Sequence, residues 1–358
     1  MTLLDLLKKR IQIFIKISLI SLFFIILIDF LFGNLILKII KNDENKPYIK
    51  HEVYHHSLKK NFNDLAQWEI GDDKKYRYCT DSNGFKSACD TISTKIFDLA
   101  FIGDSFTEGV GLPYEKTFVG IIANSNKKLR VANLGVTSYS PSIYLVKFKE
   151  LLNEGYKFKH LIIYIDVSDM YDEGKKYRIY NNKILTMKPL YLEKFQDFIT
   201  WSFPFLSDTV KKIKNRKTRN DAIVEHNGCS YLEKCFQRGN WTYVDNKFEK
   251  KATDKSIQAL NEIYELTKKN NIKLSISVYP WPGMLIFDKE ESKHVKMWED
   301  FCVKKCENFI DNFPEFFKYS KKYGYKSTID NFYIKGDVHF NEAGNIIIAD
   351  NFIKKFKF

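Results

Sequence analysis

Apolar positions are distributed along this chain in two distinct ways. Near the start they form one long block, a mostly apolar stretch from Ile11 to Leu37 whose centre, Ile17 to Ile28, carries no charge. From Ile96 onward they come as short continuous runs alternating with helix-period segments. "IFDLAFIG", "LRVANLG", "HLIIYIDV" and "KLSISVYP" read as strands, the fullest of them apolar on both faces. "EKTFVGIIANS", "SPSIYLVKFKELLNEG", "SIQALNEIYELTKKNN" and "NEAGNIIIADNFIKKF" read as helices, and the second has Pro near its start and Gly after its end. Strand and helix alternating in this way predict an α/β domain built on a mostly parallel, doubly wound sheet. Reactive groups in such sheets lie beyond the carboxyl ends of the strands.

Between these regions, residues 38–94 are polar and broken, and read as a stalk and lead-in element ahead of a domain at 95–358. Residues 174–252 interrupt the alternation as an insertion rich in Lys, Asn and aromatics. It contains "FITWSFPFL", either a local packing patch or a surface for lipid or a partner.

The first block, taken as residues 1–37, is expected to be a single membrane anchor, with contact to lipid through residues 11–37. Asp29 lies within it, and a charge at the centre of a span costs about 2.5–3.5 kcal/mol, whereas each Leu, Ile or Phe returns about 0.3–0.6. The ten such residues between Ile17 and Ile28 offset it. No small-residue cleavage pattern follows, which favours an uncleaved anchor over a removed signal peptide.

Charge and cysteines refine the picture. The formal net charge of +13 comes mainly from lysine scattered along the 358 residues, so no nucleic-acid partner is expected. The six cysteines fall into three close pairs: Cys79 with Cys89, Cys229 with Cys235, and Cys302 with Cys306. No pair has Cys-x-x-Cys spacing, so disulfides are expected rather than a metal centre. That places the body outside the cytoplasm: a single-pass protein of the inner or cytoplasmic membrane, its domain facing the periplasm or cell exterior.

The candidate chemistry lies at the two ends of the α/β domain. "GDSFTEG" follows the first strand and puts Ser105 at the start of a helix, where a backbone N–H is free to meet a developing oxyanion. Alone, such a serine is as readily a turn or cap residue. "IKGDVHFNEAGN" sets Asp337 two residues before His339, just ahead of the last helix. At that spacing the carboxylate can hold one imidazole nitrogen and leave the other to activate a serine.

Together these motifs resemble the SGNH (GDSL-like) hydrolase superfamily over about residues 96–358. The resemblance implies a three-layer α/β/α flavodoxin-like fold and ester hydrolysis or acyl transfer without a cofactor or metal. It implies Ser105 as nucleophile, His339 as general base and Asp337 as its partner. It further implies an oxyanion hole from Ser105, Ser138 and Ser168. Ser138, in "NLGVTSYS", stands at a place usually held by Gly, and Ser168, in "IDVSD", at one usually held by Asn. Asp166 occupies a second Gly place, where a charge is harmful unless it is paired or turned away. The Asp-x-His-aromatic order, "DVHF", is similar to that of the O-acetyltransferase branch acting on envelope polysaccharides.

Asp169 and Tyr171, after the third strand, and Trp281, in "SVYPWPGML", are candidate substrate-binding residues, Trp281 reading equally as a packed turn. The expected substrate is an acylated polysaccharide or other envelope ester. A weakly active or inactive glycan-binding or assembly protein, and a lipase or phospholipase, are the alternative readings.

Overall fold

The computed structural model describes residues 3–41, 46–68, 75–187, 189–210, 213, 238–244 and 249–356. They divide into two compact units, one of residues 1–45 with 188–220, the other of residues 46–187 with 221–358.

In the larger unit, the apolar runs pair into a five-stranded sheet of order β11-β10-β7-β5-β6, parallel throughout. The strands are β5 (Ile96–Ile102), β6 (Val131–Asn133), β7 (Lys157–Ile165), β10 (Lys273–Val278) and β11 (Asn308–Asp311). β7 is central, and every residue from His160 to Ile165 is buried. A strand buried on both faces needs helices on both, which is why its apolar run does not alternate. Helices α3 (Phe118–Ser125) and Glu342–Lys355 pack together, as do α4 (Pro141–Asn153) and Glu249–Lys269. Their ends obey local chemistry: the Thr117 hydroxyl accepts from Gly120 N at 3.1 Å, the Asn341 side chain from Gly344 N at 3.0 Å, and Pro141 opens α4. The α/β fold expected from the alternation is the fold observed. The short edge strand β11, "NFID", was not anticipated.

The polar lead-in is more ordered than its sequence suggests. β1 (Tyr48–His51) with β2 (His55–Leu58), and β3 (Asn63–Gln67) with β4 (Lys75–Cys79), form two antiparallel hairpins. Tyr54, Leu58, Phe62 and Tyr78 from this segment join the main core. A disulfide joins Cys79 to Cys89, and a second joins Cys302 to Cys306. The Cys229–Cys235 pair lies outside the described residues.

The stretch read as an insertion divides between the units. Its hairpin, β8 (Tyr177–Tyr180) with β9 (Lys183–Thr186), belongs to the α/β unit, and residues 188–220 belong with the N-terminal helix. That smaller unit contains α1 (Leu3–Lys41), long and apolar enough over Leu7–Ile36 to cross a membrane, and α6 (Leu190–Ser202).

Candidate active site

Ser105 is set by the turn that ends β5. Gly103 makes the turn possible: a Cβ there would lie 2.8 Å from the Tyr164 carbonyl and closer still to the Thr107 hydroxyl. Asp104 then caps the short helix α2 (Ser105–Glu108), its carboxylate accepting from Phe106 N at 2.9 Å. Ser105 is the first helical residue, a position whose N–H has no intrahelical acceptor.

The loop before the last helix brings the other two residues to it. His339 Nε2 lies 2.7 Å from Ser105 Oγ, and His339 Nδ1 lies 2.9 Å from Asp337 Oδ2. Asp337 also accepts from Trp68 Nε1 at 2.6 Å and from Val338 N at 2.7 Å. Burial raises the Asp337 pKa, but the His339 charge and these hydrogen bonds outweigh it and hold the carboxyl below its ordinary value. Burial likewise lowers His339, and the Asp337 charge and hydrogen bond outweigh it, so the imidazole sits above its ordinary 6.5. With Asp337 ionised, the neutral imidazole keeps its proton on Nδ1 and presents Nε2 as an acceptor to the serine hydroxyl. The Trp68 ring meets His339 edge-on at 5.2 Å, and Phe106 packs on it at 4.7 Å.

Around this line lies a cavity of about 210 Å³, whose lining includes Trp68, Ser105, Ser138, Ser168, Arg238, Trp281 and His339. Ser138 adopts φ 64°, the left-handed conformation that favours glycine, so a serine here takes up a glycine-like backbone. Ser168 is buried with its N–H on Asp166 Oδ1 at 2.6 Å.

Asp166 is buried and, among the described residues, is not paired with a cation at contact distance. It belongs to a buried group in which carboxylate oxygens of Asp104, Asp166 and Asp169 all lie within 4.8 Å of one another. Trp281 Nε1 donates to Asp166 at 2.5 Å, and Tyr144 OH donates to Asp169 at 2.8 Å. Burial, then the Asp166 charge, pushes Asp104 up to about 7. Asp166 is raised by burial, and Asp169 is raised well above its ordinary value by burial and then by the charges of Asp104 and Asp166. All three carboxyls thus bind protons more tightly than a free carboxyl does. Three carboxyls at this separation match the ligand type for a hard cation, yet both Asp166 oxygens are taken by protein donors, which suits a proton-sharing cluster better than an ion.

The three proposed substrate-binding residues fare differently. Trp281 does line the cavity, but it is only 3% exposed, held by Asp166, so it is a packed wall and not a free stacking platform. Asp169 and Tyr171 are not among the lining residues. Asp169 opens α5 (Asp169–Lys175), and its side chain turns inward to Tyr144 and the Asp166 N–H. Tyr171 lies instead beneath the Arg238 guanidinium at 5.8 Å.

Sequence reasoning missed Trp68, Arg238 and Glu108. Arg238 grips the buried Asp172 with both carboxylate oxygens at 2.8 Å. Glu108, three residues after Ser105 and fully buried, accepts four hydrogen bonds. One oxygen takes Tyr48 OH at 2.7 Å and Tyr78 OH at 2.9 Å; the other takes Thr137 N at 2.7 Å and Thr137 Oγ1 at 2.8 Å. Burial and the Glu108 charge hold both phenols well above their ordinary pKa, so they remain donors. Glu108 thus ties the helix that starts at Ser105 to the residue preceding Ser138. Its position inside "GDSFTEG" was the available signal. Trp68 and Arg238, far from either motif, had none.

No family model and no curated protein matches the chain. Solved structures similar to it include a member of the lipolytic protein G-D-S-L family from Veillonella parvula DSM 2008, at 12% identity and TM-score 0.41, covering 73% of this chain and 98% of that one. The acetylxylan esterase Axe2 from Geobacillus stearothermophilus is similar at 13% identity and TM-score 0.41, covering 73% and 94%. A third is the psychrotrophic esterase EstA from Pseudoalteromonas sp., at 9% identity and TM-score 0.36, covering 73% and 96%. Two are esterases and one is a lipolytic protein.

Proposed function

We propose that this protein is a serine esterase or acyltransferase that acts on short O-acyl groups of a cell-envelope carbohydrate. The observation that carries the reading is the unbroken line Ser105–His339–Asp337 opening into a cavity of about 210 Å³.

The chemistry follows from that line. His339 Nε2 takes the proton of Ser105 as its oxygen attacks the acyl carbon, and Asp337 stabilises the imidazolium. Charge developing on the former carbonyl oxygen meets the N–H groups of Ser105 and Ser138, with Ser168 adjacent. His339 returns the proton to the departing sugar oxygen, leaving an acyl-enzyme on Ser105. Water or a second sugar hydroxyl then attacks, giving up its proton to His339, and Ser105 recovers it as the acyl group leaves. Water makes the enzyme an esterase, and a sugar hydroxyl makes it a transferase.

The cavity is smaller than the roughly 300–1,000 Å³ of drug-sized sites, which favours acetyl over a long acyl chain and weighs against a lipase. Two disulfides and the apolar α1 support an anchored protein whose α/β unit lies on the periplasmic or outer side of the membrane.

Incubation of the protein with 4-nitrophenyl acetate, read by intact mass, tests the reading. An acetyl adduct that disappears in Ser105→Ala is expected. A folded wild-type protein with neither adduct nor nitrophenol release would overturn it. That result would favour a glycan-binding protein, a reading that Ser168 at the place usually held by Asn supports.

A further inference from the structure

The smaller unit holds a charge where an anchor helix ordinarily has none. Asp29 is only 3% exposed on α1, while its apolar neighbours Ile28 and Phe30 are 48% and 51% exposed. Its two oxygens accept from Phe205 N and Leu206 N, each at 2.9 Å. These N–H groups open a second helical segment, 204–210, and are donors that the helix itself cannot satisfy. The same stretch of α1 makes three further contacts. Asn34 Nδ2 donates to the Trp201 carbonyl at 3.1 Å, and the Phe30 ring meets Phe203 at 5.9 Å. Gly33 lies so close to Pro204 that a Cβ would come within 2.9 Å of its ring.

The position of Asp29 along α1 sets the depth of these contacts. Lys16 and Lys38 bound 21 residues, Ile17 to Leu37, close to the ~20 needed to cross the hydrocarbon core. Asp29 lies eight residues before Leu37, about 12 Å inside that end at the helical rise. Atoms hydrogen-bonded to it share its depth. Around them Tyr191, Phe195, Phe198, Trp201 and Phe205 are all at least 40% exposed.

We propose that residues 190–210 are a second membrane element: the turn at 201–206 is immersed in the leaflet at the C-terminal end of α1, pinned there by Asp29, with its aromatics against lipid. The arrangement solves two problems together. A carboxylate within hydrocarbon needs donors, and backbone N–H groups at a helix start in hydrocarbon need acceptors. The partner is the bilayer itself, reached by a turn whose Phe205 and Leu206 N–H groups and Trp201 carbonyl find their partners on α1.

The proposal rests on α1 spanning a membrane, and the test reads the two separately. The full chain is reconstituted in vesicles of phosphatidylcholine with phosphatidylglycerol, the former brominated at successive acyl positions. Resistance to alkaline carbonate extraction reports α1, and bromine quenching of tryptophan fluorescence reports the turn. Trp201→Phe is expected to abolish most of the quenching, because Trp201 is the reporter within this segment. Asp29→Leu, which makes α1 more apolar, is expected to stay resistant to extraction while losing most of the Trp201 quenching. Asp29→Asn, retaining one acceptor oxygen, is expected to fall between the two. Equal quenching in wild type and Trp201→Phe, with extraction resistance intact, would overturn the immersion. Unchanged quenching in Asp29→Leu would overturn the pinning.

Discussion

Asp337 and the Asp104–Asp166–Asp169 trio are buried within the same unit, and they meet the problem of buried charge in opposite ways. Asp337 is surrounded by three donors, from His339, Trp68 and Val338, and stays charged. In the trio the neighbours of each carboxyl are other carboxyls, and all three are raised instead. Burial acts alike on both. What differs is the sign of the neighbouring charge, His339 beside Asp337 against carboxyls beside one another in the trio, and it is the ionised Asp337 that orients the base.

Removing the nucleophile breaks the first arrangement most completely: Ser105→Ala is expected to lower kcat/KM for an acetyl ester by about 10⁴-fold or more. Asp337→Asn should approach that loss, on the order of 10³–10⁴-fold, because an amide cannot hold the required tautomer. Steady-state kinetics on 4-nitrophenyl acetate checks both. If Asp337→Asn retains near wild-type turnover, the donor-rich arrangement has no catalytic meaning.

Glu108→Gln sharpens the same contrast at one remove. It leaves the nucleophile untouched but supplies one good acceptor oxygen where four donors converge. A loss of about 10–100-fold in kcat with little change in KM is expected if Glu108 positions the Ser138 N–H. A fall in thermal midpoint with unchanged kcat would mean it serves the fold alone.

The pH profile tests the trio. His339 must be neutral to act as base, so activity is expected to rise with pH through a midpoint above 6.5. The Asp104 and Asp166 charges contribute to that elevation, so Asp166→Asn should move the midpoint down. The smallest effect is on stability. Asp104 titrates at 3.8 when free and at about 7 here, so the stability it contributes is complete below 3.8 and is lost as pH rises through about 7. Asp337 has the opposite sign, its contribution being lost as pH falls below the ordinary carboxyl range. Asp104→Asn should therefore flatten the decline in thermal midpoint between about pH 4 and 7.

Sequence and structure agree where one local rule decides the outcome. β5, β7 and β10 were legible because strands buried on both faces leave continuous apolar runs between helix caps. β11 was not, since four residues with one buried apolar side chain, Ile310, are too short to show a period. Ser105, Asp337 and His339 were legible because each is set by a turn next to a helix start. Asp169 was misplaced by the same reasoning: the carboxyl end of a strand fixes where the backbone goes, whereas the first turn of α5 points this side chain inward. Trp68 reaches Asp337 across 269 residues of sequence, and Asp29 reaches Phe205 across 176. No local pattern encodes such pairs, because each partner is an ordinary residue in its own segment.

The chain passes between the two units three times, near residues 45, 187 and 220. Shedding of an anchored ectodomain usually takes one cut beside the span. Here a cut between Lys41 and Lys46 would leave residues 188–220 continuous with the α/β unit, and Phe205 and Leu206 still hydrogen-bonded to Asp29.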